Sequence, residues 1–260
     1  MLFLLSPAKS LDYVSPLPQG LPAPTEPRLL EHTHALIALL REKSPQQIAA
    51  LMSISDKLAA LNVARYAAFS EDPAPANARP AALAFNGDVY DGLQAASLGT
   101  RDLQWAQAHL AILSGLYGVL RPLDAMQPYR LEMGTRLANA RGANLYQFWG
   151  MRISETLNAQ LGGARSPVVV NLASQEYFKA VDTAALKARV LSCVFEDYKG
   201  GSYKIISFHA KRARGLMARW AIEQRASRPE QLQEFDRAGY AFAPAASSAE
   251  RLVFRRKEAQ

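Results

Sequence analysis

With 260 residues, 49% apolar and 20% charged, the chain has the composition of an ordinary globular protein and the length to bury one sizeable core, which excludes wholesale disorder. Its net charge of +7 suits a polyanionic partner without requiring one. The single cysteine, Cys193, rules out an intramolecular disulfide, and no stretch approaches the roughly 18 apolar residues of a membrane-spanning helix, so the cytosol is the expected location.

In chain order, the apolar run at Leu2–Leu5 is cut by Ser6-Pro7 and predicts a buried strand, not a signal peptide. Five prolines between Ser15 and Pro27 mark a surface connector. Leu29, Leu30, Leu36, Ile37, Leu39 and Leu40 make one helical face. A second helix starts at Ser44-Pro45-Gln46-Gln47, with Ser44 as N-cap, Pro45 at its first position and Gln47 closing a capping box. A further helix follows Ser53. Ala82–Phe85 reads as a short strand turning at Asn86-Gly87, and Thr100 as the cap of a helix to about Leu110. Ala111–Leu113 and Pro167–Leu172 predict buried strands, with one helix from Leu145 to about Leu161 between them. Val190–Glu196 and Tyr203–Phe208 predict a hairpin across Gly200-Gly201, followed by a helix from about His209 to Gln224 and a last hairpin ending at Arg251–Lys257. The expected architecture is α/β: one domain over residues 1–260, a mixed sheet with surrounding helices, and a helical subregion at about 45–69.

That subregion carries chemistry. A helix-hairpin-helix element needs two helices joined by a small-apolar-small turn, and Ser53-Ile54-Ser55 has that form between Ile48-Leu51 and Lys57-Leu58-Ala59. Free N–H groups at the second helix start, beside the positive end of its dipole, fit a phosphate that Lys57 can pair with. Serine stands where such turns usually have glycine, so two amphipathic helices joined by a capped turn is the competing reading. A second basic stretch, from Lys204 through Lys211, Arg212 and Arg214, runs from a strand end into a helix with no Asp or Glu between Lys199 and Arg219. The alternative there is a solvated face, and His209 is a structural residue or a proton donor.

Other patterns are weaker. Ser6-Pro-Ala-Lys9 has the S-x-x-K spacing of a lysine-activated serine, but the partner motifs carry Lys57 and Gly200 where Asn and Thr are needed. His32 and His34 would diverge by about 200° on a helix, so no metal site is expected. Gly115-x-x-Gly118 reads as a tight turn. There is no P-loop and no GxGxxG, and no cofactor is expected.

Seven blocks in order resemble the YaaA family, also called DUF328 or UPF0246. They are SPAKSLDY from Ser6, ISDKLAALNVARY from Ile54, PANARPAALAFNGDVYDGL from Pro75, HLAILSGLYGVLRPLDAMQPYRLEMG from His109, NLYQFWG from Asn144, VVNLASQEYFKA from Val169 and KIISFHAKRARGLMARW from Lys204. The resemblance implies an unusual, family-specific α/β fold with a helix-hairpin-helix element and a positively charged, DNA-binding cleft. It also implies a role in limiting free iron and oxidative damage under peroxide stress.

Two hypotheses follow. In the first, the protein binds DNA without catalysis, mainly through backbone contacts from Lys9, Ser53, Ser55, Lys57, Lys204, Lys211, Arg212 and Arg214. In the second, an enzyme acts on a nucleic acid or a small nucleoside or phosphorylated substrate with Ser6, Lys9 and Lys57 or Lys204. Convergence of Asp88, Asn171 or Glu176 on one pocket favours the enzyme, and a smooth basic groove favours binding alone.

Overall fold

The computed structural model describes residues 1–71 and 77–257; Pro75 and Ala76, which open the third matching block, lie outside the described residues. The main sheet has eight strands: β1 (Leu2–Leu5), β2 (Leu110–Ser114), β3 (Gly118–Leu120), β4 (Val168–Asn171), β5 (Arg189–Lys199), β6 (Ser202–Lys204), β7 (Ala241–Phe242) and β8 (Arg251–Lys257). Their order is β7-β8-β5-β4-β1-β2-β3, with β6 also paired to β5. The five inner strands, β8, β5, β4, β1 and β2, are mutually parallel, and β7, β3 and β6 join antiparallel. β1 is buried at every residue, as an unbroken apolar run must be in a parallel sheet covered on both faces. Helices surround the sheet, so the fold is mixed α/β.

Several local expectations are corrected. Ala82–Phe85 is not a strand: Ala81–Ala84 is a helical turn after Pro80, in keeping with the helix preference of alanine, and only Phe85–Asn86 pairs, with Ser10–Leu11. The helix expected from Leu145 to Leu161 is two, Leu145–Trp149 and Arg152–Leu161, parted at Gly150, whose φ of 50° no regular helix contains. Thr100 is the first helical residue behind Gly99, and its hydroxyl donates to the Gly20 carbonyl at 2.8 Å. The arm expected to run to Phe208 stops at Lys204, because burying Ala210, Ala213, Met217 and Ala218 on one face starts the helix at Ser207.

The helical subregion forms two helices, Pro45–Met52 and Asp56–Ala68. Ser44 makes the full capping box with Gln47. Ser53 ends the first helix in the left-handed region at φ 51°, and Ile54 N–H donates back to the Ala49 carbonyl at 3.1 Å. Ser55 precedes the second helix without a side-chain capping bond.

One packing feature fixes the site described next. Helix Ser207–Glu223 lies directly on helix Asp88–Leu93, and two glycines make that approach possible. A Cβ on Gly215 would sit 1.8 Å from the Val89 carbonyl oxygen, and one on Gly92 2.2 Å from that of Arg212.

Candidate functional site

Parallel strands all end on one side of the sheet, where their loops can pool polar groups around a crevice. Ser6 directly follows β1 and Ser174 lies just past the end of β4, although 168 positions separate the two in sequence. The two serines meet: Ser174 N–H donates to Ser6 Oγ at 2.9 Å, and the Ser6 hydroxyl donates to Ser174 Oγ at 3.3 Å. The Tyr90 hydroxyl, kept neutral by burial, donates to the Ser6 carbonyl at 3.0 Å. Ser6 is therefore held by three contacts.

Around this pair lies a cleft of about 420 Å³. Its polar lining includes Ser6, Lys9, Asn86, Asp88, Glu132, Ser174, Glu176, Lys211 and Arg214, interleaved with Pro7, Ala8, Val89 and Tyr177. Lys9 Nζ sits 2.8 Å from Glu132 Oε2, while Arg130 takes the other oxygen at 2.9 Å. Burial pushes the Glu132 carboxyl up, but the hydrogen bonds and charges of Lys9 and Arg130 outweigh it and leave the group below its ordinary value. Glu176 accepts from the Gly134 N–H at 2.9 Å. Lys211 and Asp88 are 3.9 Å apart, a loose pair with both side chains well exposed.

Arg214 differs from its neighbours. Its side chain is half-buried, burial lowers its pKa, and among the described residues no charged partner opposes that effect. It stands one turn along from Lys211 on the same helix face.

The structure brings together Ser6, Lys9, Lys211 and Arg214 of the residues singled out from sequence, and with them Asp88 and Glu176. It does not bring Ser53, Ser55, Lys57, Lys204 or Arg212 to this cleft; all five are exposed elsewhere on the surface. Asn171 stays outside as well, its amide oxygen accepting from Ala173 N–H at 2.9 Å. Ser6 and Lys9 are not joined as nucleophile and base, since Lys9 turns to Glu132 and Ser6 to Ser174. Sequence reasoning passed over Glu132 and Ser174. Their only signal was membership of the blocks beginning at His109 and Val169. Among the described residues no group of three His, Cys, Asp or Glu is placed to hold a metal ion.

Residues 1–246 match the family described as Peroxide stress protein YaaA. A UPF0246 protein of Paracidovorax citrulli (strain AAC00-1) is 69% identical over 259 residues, covering 100% of each chain. Similar proteins of the same name occur in Verminephrobacter eiseniae, at 68% identity over 99% of this chain and 98% of that one, and in Delftia acidovorans, at 67% over 100% of both.

Proposed function

The chain belongs to the peroxide stress protein YaaA family, and from that premise we propose that it serves the peroxide response by binding DNA. The observation that carries this reading is the helical hairpin: Ser53 turns the chain in the left-handed region, and Lys57 stands exposed in the first turn of the helix beginning at Asp56. The N–H groups of that turn have no intrahelical acceptor, and no Ser55 side-chain bond covers them, so a phosphate oxygen fits there as in a helix-hairpin-helix element. Lys204 and Arg212, both exposed, extend the backbone contacts, and Lys9, Lys211 and Arg214 supply charge in the cleft. In this reading the 260 residues act as one cytoplasmic unit that needs no cofactor and limits oxidative damage and free iron through DNA.

The test is a salt titration of duplex binding. Contact with about four to six phosphates gives a slope of log affinity on log salt of roughly −4 to −5. Lys57→Ala lowers both affinity and slope, and Arg28→Ala, in the proline-rich connector, lowers neither. An affinity independent of salt would refute the mechanism.

A second reading, an enzyme for a small substrate, is favoured by one observation. Asp88 and Glu176 converge with Ser6 on a single cleft, which backbone contact with DNA does not require. Because Ser6 and Lys9 face other partners, any chemistry there would need Lys9 to leave Glu132 first.

A further inference from the structure

Half-buried arginines ordinarily face a carboxylate or a set of carbonyls, because a guanidinium removed from water loses hydration that something must replace. Two arginines set into this fold show the rule. Arg79 reaches the carbonyls of Asp12 and Ser15, and Arg256 reaches Asp197. Among the described residues Arg214 has neither, yet it lines the cleft on a helix that Gly215 locks against Val89. The helix contact thus fixes the backbone that presents this partly desolvated cation to whatever enters. One helical turn away, Lys211 is held only by the 3.9 Å pair with exposed Asp88, so its ammonium can swing to the same guest.

We propose that the cleft binds a small phosphomonoester carrying hydroxyl groups, a nucleoside or sugar phosphate, with its phosphate on Arg214 and Lys211. The assignment rests on the small-substrate reading above and supplies its ligand class. Two cations three residues apart on one helix face call for an anion with several oxygens and more than one charge, which a phosphomonoester has and a carboxylate lacks. The remaining polar groups suit the other end of such a molecule. Asp88 and Glu176 offer carboxylate acceptors for hydroxyl or amine protons, and Ser6 and Ser174 offer hydroxyls. Val89, Pro7 and Tyr177 give an apolar wall for a sugar or base face. The volume of about 420 Å³ lies within the ~300–1,000 Å³ of small-ligand pockets.

Calorimetric titration of the full chain with adenosine 5′-monophosphate, adenosine and inorganic phosphate tests this. The monophosphate is expected to bind in the micromolar to low-millimolar range and to raise the melting temperature, with adenosine at least about tenfold weaker. Arg214→Gln should weaken monophosphate binding by about tenfold or more, and Lys211→Gln by less, while Arg237→Gln, on a different surface, leaves it unchanged. Lys211 is exposed, so its variant reads out the site even if Arg214→Gln folds poorly. A 5′-phosphorylated oligonucleotide that displaces the monophosphate assigns the group to a DNA end, and one that does not assigns it to a free metabolite. Equal affinity for adenosine and its monophosphate overturns the phosphate assignment while keeping a small-ligand cleft. Binding of none of the three probes overturns both. The salt slope at Lys57 is unaffected by either result.

Discussion

Asp197 is fully buried, and both of its oxygens are occupied: Arg256 at 2.5 Å on one, the Tyr240 hydroxyl at 2.8 Å on the other. The guanidinium also lies over the Tyr240 ring at 4.6 Å. Removing the cation would strand a carboxylate in the core, so Arg256→Ala is expected to cost about 3 kcal/mol or more, seen as a lower denaturation midpoint with native activity at low denaturant. Lys9 is the opposite case. Its pair with Glu132 is short, but 64% of its side chain is exposed, so the contact adds little to stability. Lys9→Arg keeps the charge and the pair, and DNA affinity should stay near wild type. Peroxide protection measured in the same variant then separates the two readings, because arginine cannot pass through a neutral state. Retained binding with lost protection would favour catalysis.

Elements of this fold were legible where their cause is local and hidden where it is distant. The capping box at Ser44, the buried strand β1 and the helical hairpin each follow from a few consecutive residues. The parallel pairing of β8 with β5, from Arg251↔Ser192 to Lys257↔Tyr198, has no signature in either segment. Nor does the meeting of Ser6 with Ser174, which depends on β1 and β4 lying side by side. The break at Gly150 was hidden for a different reason: apolar periodicity continues on both sides, and only the buried Trp149 indole, donating to the Gly115 carbonyl at 3.0 Å, fixes the turn. Two substitutions test the hairpin and the helix contact behind the cleft. Ser53→Gly relieves the left-handed conformation at φ 51° and should stabilise the chain by about 1 kcal/mol, a rise of roughly 2–4 °C in Tm. Gly215→Ala puts a methyl 1.8 Å from a backbone oxygen that cannot rotate away. It should destabilise by about 1–3 kcal/mol and, by parting the two helices, weaken ligand binding at Arg214 as well.

At the scale of the whole molecule, burial has made the protein alkali-sensitive. Tyr66, Tyr90, Tyr117 and Tyr129 are all pushed above the ordinary phenol value by burial, and burial pushes the Cys193 thiol up to about 12. For these groups the neutral form is favoured in the folded state. Their stabilisation is complete below the unfolded values, near ~8.5 for the thiol and ~10 for the phenols, and is lost as pH rises beyond them. Urea midpoints should therefore decline from about pH 9 and fall steeply above about pH 10. The same burial bears on how a member of a peroxide stress family meets peroxide. Oxidation of a thiol by peroxide needs a thiolate and access, and Cys193 has neither: it sits on the covered face of β5 and stays protonated through the physiological range. We expect native protein treated with hydrogen peroxide to keep its thiol free, whereas protein unfolded in guanidinium is oxidised and alkylated readily. Cys193→Ala should retain both DNA affinity and protection of cells from peroxide, with at most a modest loss of stability from the small cavity. Trapping a sulfenic acid at Cys193 in the folded protein, or losing protection in the alanine variant at unchanged stability, would mean that the molecule senses the oxidant directly.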